Sequence, residues 1–308
     1  MTVNDTQYIL DAPAQLINGK TLVPIRAISE AFGSNVDWKP NNKTIEISTA
    51  ENISLSLNNG KIIKTNSNVS ELIKEIGEPN RKEISIYGLE WYVYNRDYKN
   101  FVMVAIDNNK VCGFYTNSKG FSVSNGIYYG CASSIDYDEP ANMQIKPYID
   151  KSNNTYYGVL AILKNHKYDI DTNSKEFLYI QSLQNFDATN AFRANHGIDE
   201  LLWDENASIA ATRHSQDMAD QNYFSHTSLD GRQPIDRYLD IEKINYRSWG
   251  ENISAGRNYG IDSFDGWLNS SGHRENMLST YHKYLGVGAG YNKNSQYNYY
   301  MTQLFISY

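Results

Sequence analysis

The side chains able to do chemistry crowd into the last third of this 308-residue chain, in three short segments. Phe224–Gly231 (FSHTSLDG) sets Ser225, His226 and Ser228 together, Gly250–Ser254 (GENIS) supplies Glu251, and Trp267–Leu278 (WLNSSGHRENML) carries His273 and Glu275. One chemistry open to such residues is acyl transfer, with Ser225 or Ser228 as nucleophile, His226 or His273 as base and Glu251 orienting it. That serine-protease reading is the less attractive one: no Gly-x-Ser-x-Gly elbow is present, and adjacency of Ser and His in sequence does not fix their geometry. His214 stands apart. Ala207, Ala211, His214 and Met218 recur at helical intervals on one face otherwise made of Ala and Met, so a hydrogen-bonded core histidine is expected there.

These segments need elements to hold them. Asn185 to His196 reads as a helix that stops at His196-Gly197, and Asp204 is a candidate N-cap for the helix ENASIAATRHSQDMADQNYF. Leu285–Tyr291 (LGVGAGY) and Tyr299–Tyr308 (YYMTQLFISY) read as a terminal hairpin joined through Asn292 to Asn298. Gly286, Gly288 and Gly290 alternate within the first strand, which fits close packing against a helix; lacking a strand-to-helix turn, they make no nucleotide loop. Arg274 and Asn276 are expected to be local caps or strand contacts.

The order helix, helix, His loop, Gly-Glu-Asn strand, Trp helix, Ser-Gly-His segment and Gly-rich strand resembles the CAP superfamily of cysteine-rich secretory, antigen 5 and PR-1 proteins, over residues 183–308. The resemblance implies an α-β-α sandwich with an open cleft that holds two His and two Glu in many members. By motif, His226 and His273 match the histidines and Glu251 the first glutamate. The second glutamate, three residues after the helix tryptophan, is replaced by Ser270 after Trp267, and Glu275 is a nearby candidate for the missing carboxylate. Two neutral imidazoles suit a divalent metal such as Zn²⁺, beside a carboxylate that holds water or orients a ring; with two firm nitrogen ligands the affinity is expected to be modest. The alternative is a hydrogen-bonded cluster of His226, Glu251 and His273 that holds the loops around the cleft.

Two smaller α+β units precede this one. In residues 18–48, Pro24 suits a first helical turn, Ile25, Ile28 and Phe32 follow helical spacing, and Gly33 is a natural stop; Asn35–Trp38 and Thr44–Ser48 flank a Pro40-Asn41-Asn42 turn. This segment resembles the copper amine oxidase N-terminal-like, or stalk, domain, assigned to residues 1–62 with its start missing. It has no His or Cys, the ligands copper prefers, so a spacer or attachment role is expected. Residues 63–182 resemble the CAP-associated N-terminal domain. There Val69, Leu72, Ile73 and Ile76 mark a short helix ended by Gly77-Glu78-Pro79, and strands follow. Trp91, Tyr92, Tyr94 and Tyr98 suit sheet packing better than a ligand platform. Residues 168–182 read as a linker or a last edge. Cys112 and Cys131, the only cysteines, lack His-rich surroundings and make a poor metal site; a disulfide and two buried thiols in neighbouring strands both remain open.

Composition narrows the function. A net charge of −7 without a basic block excludes a nucleic-acid partner, and no apolar run reaches the length of a membrane helix. MTVNDTQYIL lacks a signal pattern, yet the domain types point to a secreted or cell-surface protein of a Gram-positive bacterium. The sequence therefore predicts a multidomain α+β protein, more a non-enzymatic binding module than an enzyme. Its His226, Glu251 and His273 cleft would be competent for zinc, and its ligand would be cell-wall or extracellular material, lipid or peptide. The alternative is a metal-dependent or serine-type hydrolase of peptide or cell wall.

Overall fold

The computed structural model describes residues 2–3, 6–7, 10, 12–31, 34–49, 52–164, 170–257 and 259–308. At the N-terminal end, β1 (Thr2–Val3) pairs with β2 (Thr6–Gln7) and β3 (Gln15–Ile17) with β4 (Lys20–Leu22). The expected helix forms as α1 (Ile25–Ala31), entered through an Ile28 N–H bond to the Pro24 carbonyl, and packs on β5 (Ser34–Lys39). Phe32 and Gly33 lie outside the described residues. β5 and β6 (Thr44–Thr49) form the expected hairpin, whose turn is braced by Thr44 Oγ1 donating to Asn42 Oδ1 at 2.6 Å.

β7 (Ser54–Ser56) lies on the stalk side of the boundary drawn at residue 62 and β8 (Ile62–Lys64) straddles it, but β7 pairs with both β8 and β13 (Ser122–Val123), and Ile53, Leu55, Leu57 and Ile63 are buried in the core of the second unit. The helix α2 (Val69–Ile76) starts at a capping box of Asn68 and Glu71 and stops at Gly77, whose φ of 91° suits glycine. A six-stranded antiparallel sheet follows, in the order β14 (Met143–Asp150), β15 (Thr155–Leu163), β12 (Lys110–Thr116), β11 (Val102–Asp107), β10 (Glu90–Tyr94), β9 (Arg81–Ile84). Asn108 and Asn109, both left-handed, turn β11 into β12.

This sheet is covered on both faces. Tyr92, Val104 and Phe114 face α2 and the small sheet, whereas Trp91, Met103 and Tyr115 face the third unit. Double coverage explains why β11 and β15 are buried almost end to end instead of alternating. It also decides the aromatic cluster: Trp91 and Tyr92 point to opposite cores, so they pack and form no common platform. Cys112 and Cys131 belong to those two separate cores and are free thiols.

The long helix of the third unit crosses the boundary drawn at residue 183. α3 (Lys175–Asn195) is capped by Ser174, whose hydroxyl accepts from the Phe177 N–H at 3.2 Å, so the span read as a linker up to 182 is half helix. Residues 165–169 lie outside the described ones. β16 (Leu202–Trp203) precedes α4 (Glu205–Gln221), capped by Asp204 as expected, and α5 (Pro234–Leu239) follows the His loop. The sheet runs β16, β18 (Tyr284–Tyr291), β19 (Tyr299–Ser307), β17 (Ser248–Ala255). α4 and α5 cover one face; α3, α6 (Gly260–Leu268) and α7 (Ser271–Leu278) cover the other, which makes an α-β-α sandwich. On β18, Leu285, Val287 and Ala289 enter the α3 core, and the alternating glycines admit α4: a Cβ on Gly288 would lie 2.1 Å from the Thr212 backbone nitrogen.

Candidate functional site: a histidine pair at an edge strand

The site forms around β17, an edge strand of the sandwich. α4 ends at Asn222, left-handed at φ 54°, and releases the loop that carries His226. Glu251 lies at mid-strand opposite Leu304, and α7 brings His273 against the same strand, where the Asn252 side chain donates to the His273 carbonyl at 3.1 Å. The structure thus assembles His226, Glu251 and His273 from three elements.

Glu251 is buried and both of its oxygens are engaged. Oε1 accepts from His226 Nδ1 at 2.8 Å and Oε2 from the buried guanidinium of Arg237. A carboxylate can only accept, so in neutral His226 the proton sits on Nδ1 and the Nε2 lone pair is left free. The His226 side chain remains 51% exposed. His273 Nδ1 is buried with no partner among the described residues, and burial, then the neighbouring His226, pushes the His273 pKa down, so this ring is neutral near pH 7.

Arg237 is the residue that sequence reading missed. It stands on α5 and donates to the His226 carbonyl at 2.9 Å, to Ser228 Oγ at 3.1 Å and to the Arg232 carbonyl at 3.2 Å, besides Glu251. It therefore fixes the His loop and the carboxylate together. The signal was Gln233-Pro234-Ile235-Asp236, a proline at the first helical turn followed by an acidic capping residue. Asn276 donates to the Glu251 carbonyl and Asn252 Oδ1, the strand contact expected of it.

Four other residues fall elsewhere. Glu275 is exposed and lies two positions from His273 on α7, so it projects from a different side of that helix and does not replace the missing carboxylate. Ser270 occupies the N-cap of α7. Arg274 is no local cap: it reaches the second unit and holds both oxygens of Asp150 at 2.9 and 2.8 Å. His214 is buried and its Nε2 donates to the Ser225 carbonyl at 3.0 Å, which ties the His loop to α4. Burial, reinforced by Arg237, lowers its pKa to about 4.

The donor set bears on both chemistries. Among the described residues no three His, Cys, Asp or Glu side chains group as a metal-ligand set. What the cluster offers a divalent ion is two imidazoles, His226 through Nε2 and His273, with Glu251 behind His226 as the orienting carboxylate rather than a ligand. Such a pair fits an open, weakly held ion and not a closed four-ligand site. For the serine reading, Ser225 Oγ accepts from the Thr227 N–H and Ser228 Oγ from Arg237. Neither hydroxyl is bonded to His226 or His273 among the described contacts.

The fold of this domain has known relatives. Residues 186–305 match the family described as the cysteine-rich secretory protein family, CAP. The last unit is a CAP domain. Ahead of it, residues 65–157 match the CAP-associated N-terminal family and residues 2–76 the copper amine oxidase N-terminal domain. The uncharacterized membrane protein YlbC of Bacillus subtilis is 28% identical, over 71% of this chain and 77% of its own length. The uncharacterized protein YkwD of the same organism is 40% identical, over 32% of this chain and 38% of its own length, so the chain spans well under half of that relative. An extracellular protein containing an SCP domain from Bacillus anthracis superposes with a TM-score of 0.66 at 27% identity, covering 79% of this chain and 94% of that one. A cysteine-rich secretory protein from Staphylococcus aureus shares the fold, with a TM-score of 0.59 at 15% identity and the same coverage. Among the described residues of the present chain, no helix is long and apolar enough to cross a membrane.

Proposed function

We propose that this chain is an exported, cell-surface protein of a Gram-positive bacterium whose CAP domain binds an extracellular ligand without turning it over. The Bacillus anthracis neighbour is an extracellular protein, which supports export. The N-terminal stalk-type unit would space or attach the binding domain, and the boundaries of the three units are part of this proposal. The observation that carries the binding reading is the engagement of both Glu251 oxygens by His226 and Arg237, which leaves the cleft a positioned imidazole pair but no free carboxylate to act as a general base. A divalent ion such as Zn²⁺, held by His226 and His273, would keep open positions for oxygen donors of a peptide or of lipid or cell-wall material. Glu251 would act by fixing the ring of His226.

Incubation of the protein with casein and with peptidoglycan, with and without Zn²⁺, separates this reading from a hydrolase. No released peptide or muropeptide is expected. Release that disappears in His226→Ala would establish the hydrolase instead.

A further inference from the structure

The helix that carries His273 has few anchors of its own. α7 spans only Ser271–Leu278, Met277 is its one buried residue, and its N-cap Ser270 makes no side-chain capping bond. Its C-terminal end is fixed from within the CAP domain: Arg193 donates to the carbonyls of Met277 and Ser279 at 2.8 Å each, and Asn276 to the Glu251 carbonyl at 3.2 Å. Its N-terminal end is fixed from the second unit. At the junction of α6 and α7, Asn269 Nδ2 donates to the Ile149 carbonyl at 3.0 Å, and Asn269 Oδ1 accepts the Lys151 N–H at 2.8 Å. One turn on, Arg274 grips the residue between those two, donating to both oxygens of buried Asp150 at 2.9 and 2.8 Å. A two-pronged pair of this kind fixes direction as well as distance, and burial of its carboxylate limits competition from water.

The two histidines of the cleft are oriented by different means. Glu251 fixes the ring of His226 through Nδ1 at 2.8 Å. His273 Nδ1 has no partner among the described residues, and the bond from Asn252 holds only the His273 carbonyl. With no carboxylate behind it, the His273 ring points where its helix places it, because side-chain direction on a helix follows the backbone. We infer that Asp150 is a positioning residue for the histidine pair: through Arg274 it sets the N-terminal end of α7, and with it the direction from which His273 meets His226. The second unit then does more than cover one side of the CAP domain; it completes the cleft.

The test reads the His273 ring by side-chain NMR in the metal-free full chain, and then zinc affinity by calorimetric titration at pH 7.5; the second readout rests on the metal reading proposed above. Asp150→Ala should shift the His273 ring resonances more than those of His226 and lower zinc affinity about 10-fold, the low end of what loss of an orienting partner costs a metal site. Val104→Ala is the control. It loosens the core on the opposite face of the six-stranded sheet and leaves the Asp150 clamp intact, so it should lower stability yet keep both readouts at wild-type values. Should Asp150→Ala fail to fold, Asp150→Asn, which keeps the shape and one acceptor oxygen, should show the same two changes in smaller measure. A wild type that binds no zinc would remove the metal reading and leave the ring resonances to decide the role of Asp150. Unchanged His273 resonances in the Asp150 variants, an equal shift in Val104→Ala, or wild-type zinc affinity in Asp150→Ala would overturn the positioning role.

Discussion

Glu251 illustrates how burial assigns a role that residue type leaves open. A carboxylate beside two histidines can serve as ligand, base or brace; once Arg237 and His226 each occupy one oxygen, the brace remains. His214 and His282 are a second case, in which burial sets charge. Both have their pKa lowered to about 4, by burial first and then by Arg237 and Arg193 respectively. In the unfolded chain each returns to about 6.5. Between those values the unfolded state binds protons that the folded state refuses, so stability is complete above about pH 6.5 and declines as pH falls toward 4. Each ring contributes at most about 2 kcal/mol of this loss at pH 5. Urea midpoints measured from pH 7.5 to 4.5 should fall on acidification, and His214→Leu, though less stable, should show a shallower fall. An undiminished slope in the variant would rule out His214 as a source.

At the scale of elements, the fit of α4 to β18 is the most demanding contact. Gly286, Gly288 and Gly290 let the helix backbone approach to a distance at which any side chain collides with main-chain atoms. Gly288→Ala should therefore cost at least about 2 kcal/mol, visible as a lower urea midpoint, because backbone cannot yield as a flexible side chain would; an unchanged midpoint would show that the helix can slide. This packing was legible in the alternating glycines, as were the Asp204 cap and the terminal hairpin. The first half of α3 was not. Gln181, Gln184, Asn185, Asp187, Asn190 and Arg193 occupy buried positions on that helix, so its inward face carries polar residues where periodicity looks for apolar ones. Their partners, such as Arg81 for Asp187 at 2.7 Å and Glu83 for Gln184 at 2.8 Å, lie about a hundred residues away. The histidine pair was legible only through its motifs; Arg237, which organises it, lay in a polar stretch whose one cue was the proline of α5.

For the whole molecule, the second unit and the CAP domain behave as one body joined through a shared core that runs from Trp91 and Tyr115 to Phe264 and Phe305. Polar contacts reinforce the seam. Burial opposes ionisation of Asp150, but its bonds to Arg274 and Ser152 prevail and hold its pKa below the usual carboxylate value. Residues 53–308 should accordingly unfold in one transition. Arg274→Ala should lower stability by about 2–3 kcal/mol, since it strands a buried carboxylate, and Asp150→Asn combined with Arg274→Ala should cost less than the sum of the two single changes. Separate transitions for the two units in calorimetric melting would contradict the shared core.

The cleft itself is tested most directly by calorimetric titration of Zn²⁺ into four proteins: wild type, His226→Ala with His273→Ala, Glu251→Gln, and His214→Ala. Only neutral imidazoles donate a lone pair, so wild-type binding should be modest at pH 7.5 and weaken on acidification. The double variant should not bind, Glu251→Gln should bind about 10-fold more weakly because the ring loses its orienting charge, and His214→Ala should bind as wild type does. Equal zinc affinity in the wild type and the double variant would contradict the account, leaving His226, Glu251 and His273 as a structural clasp.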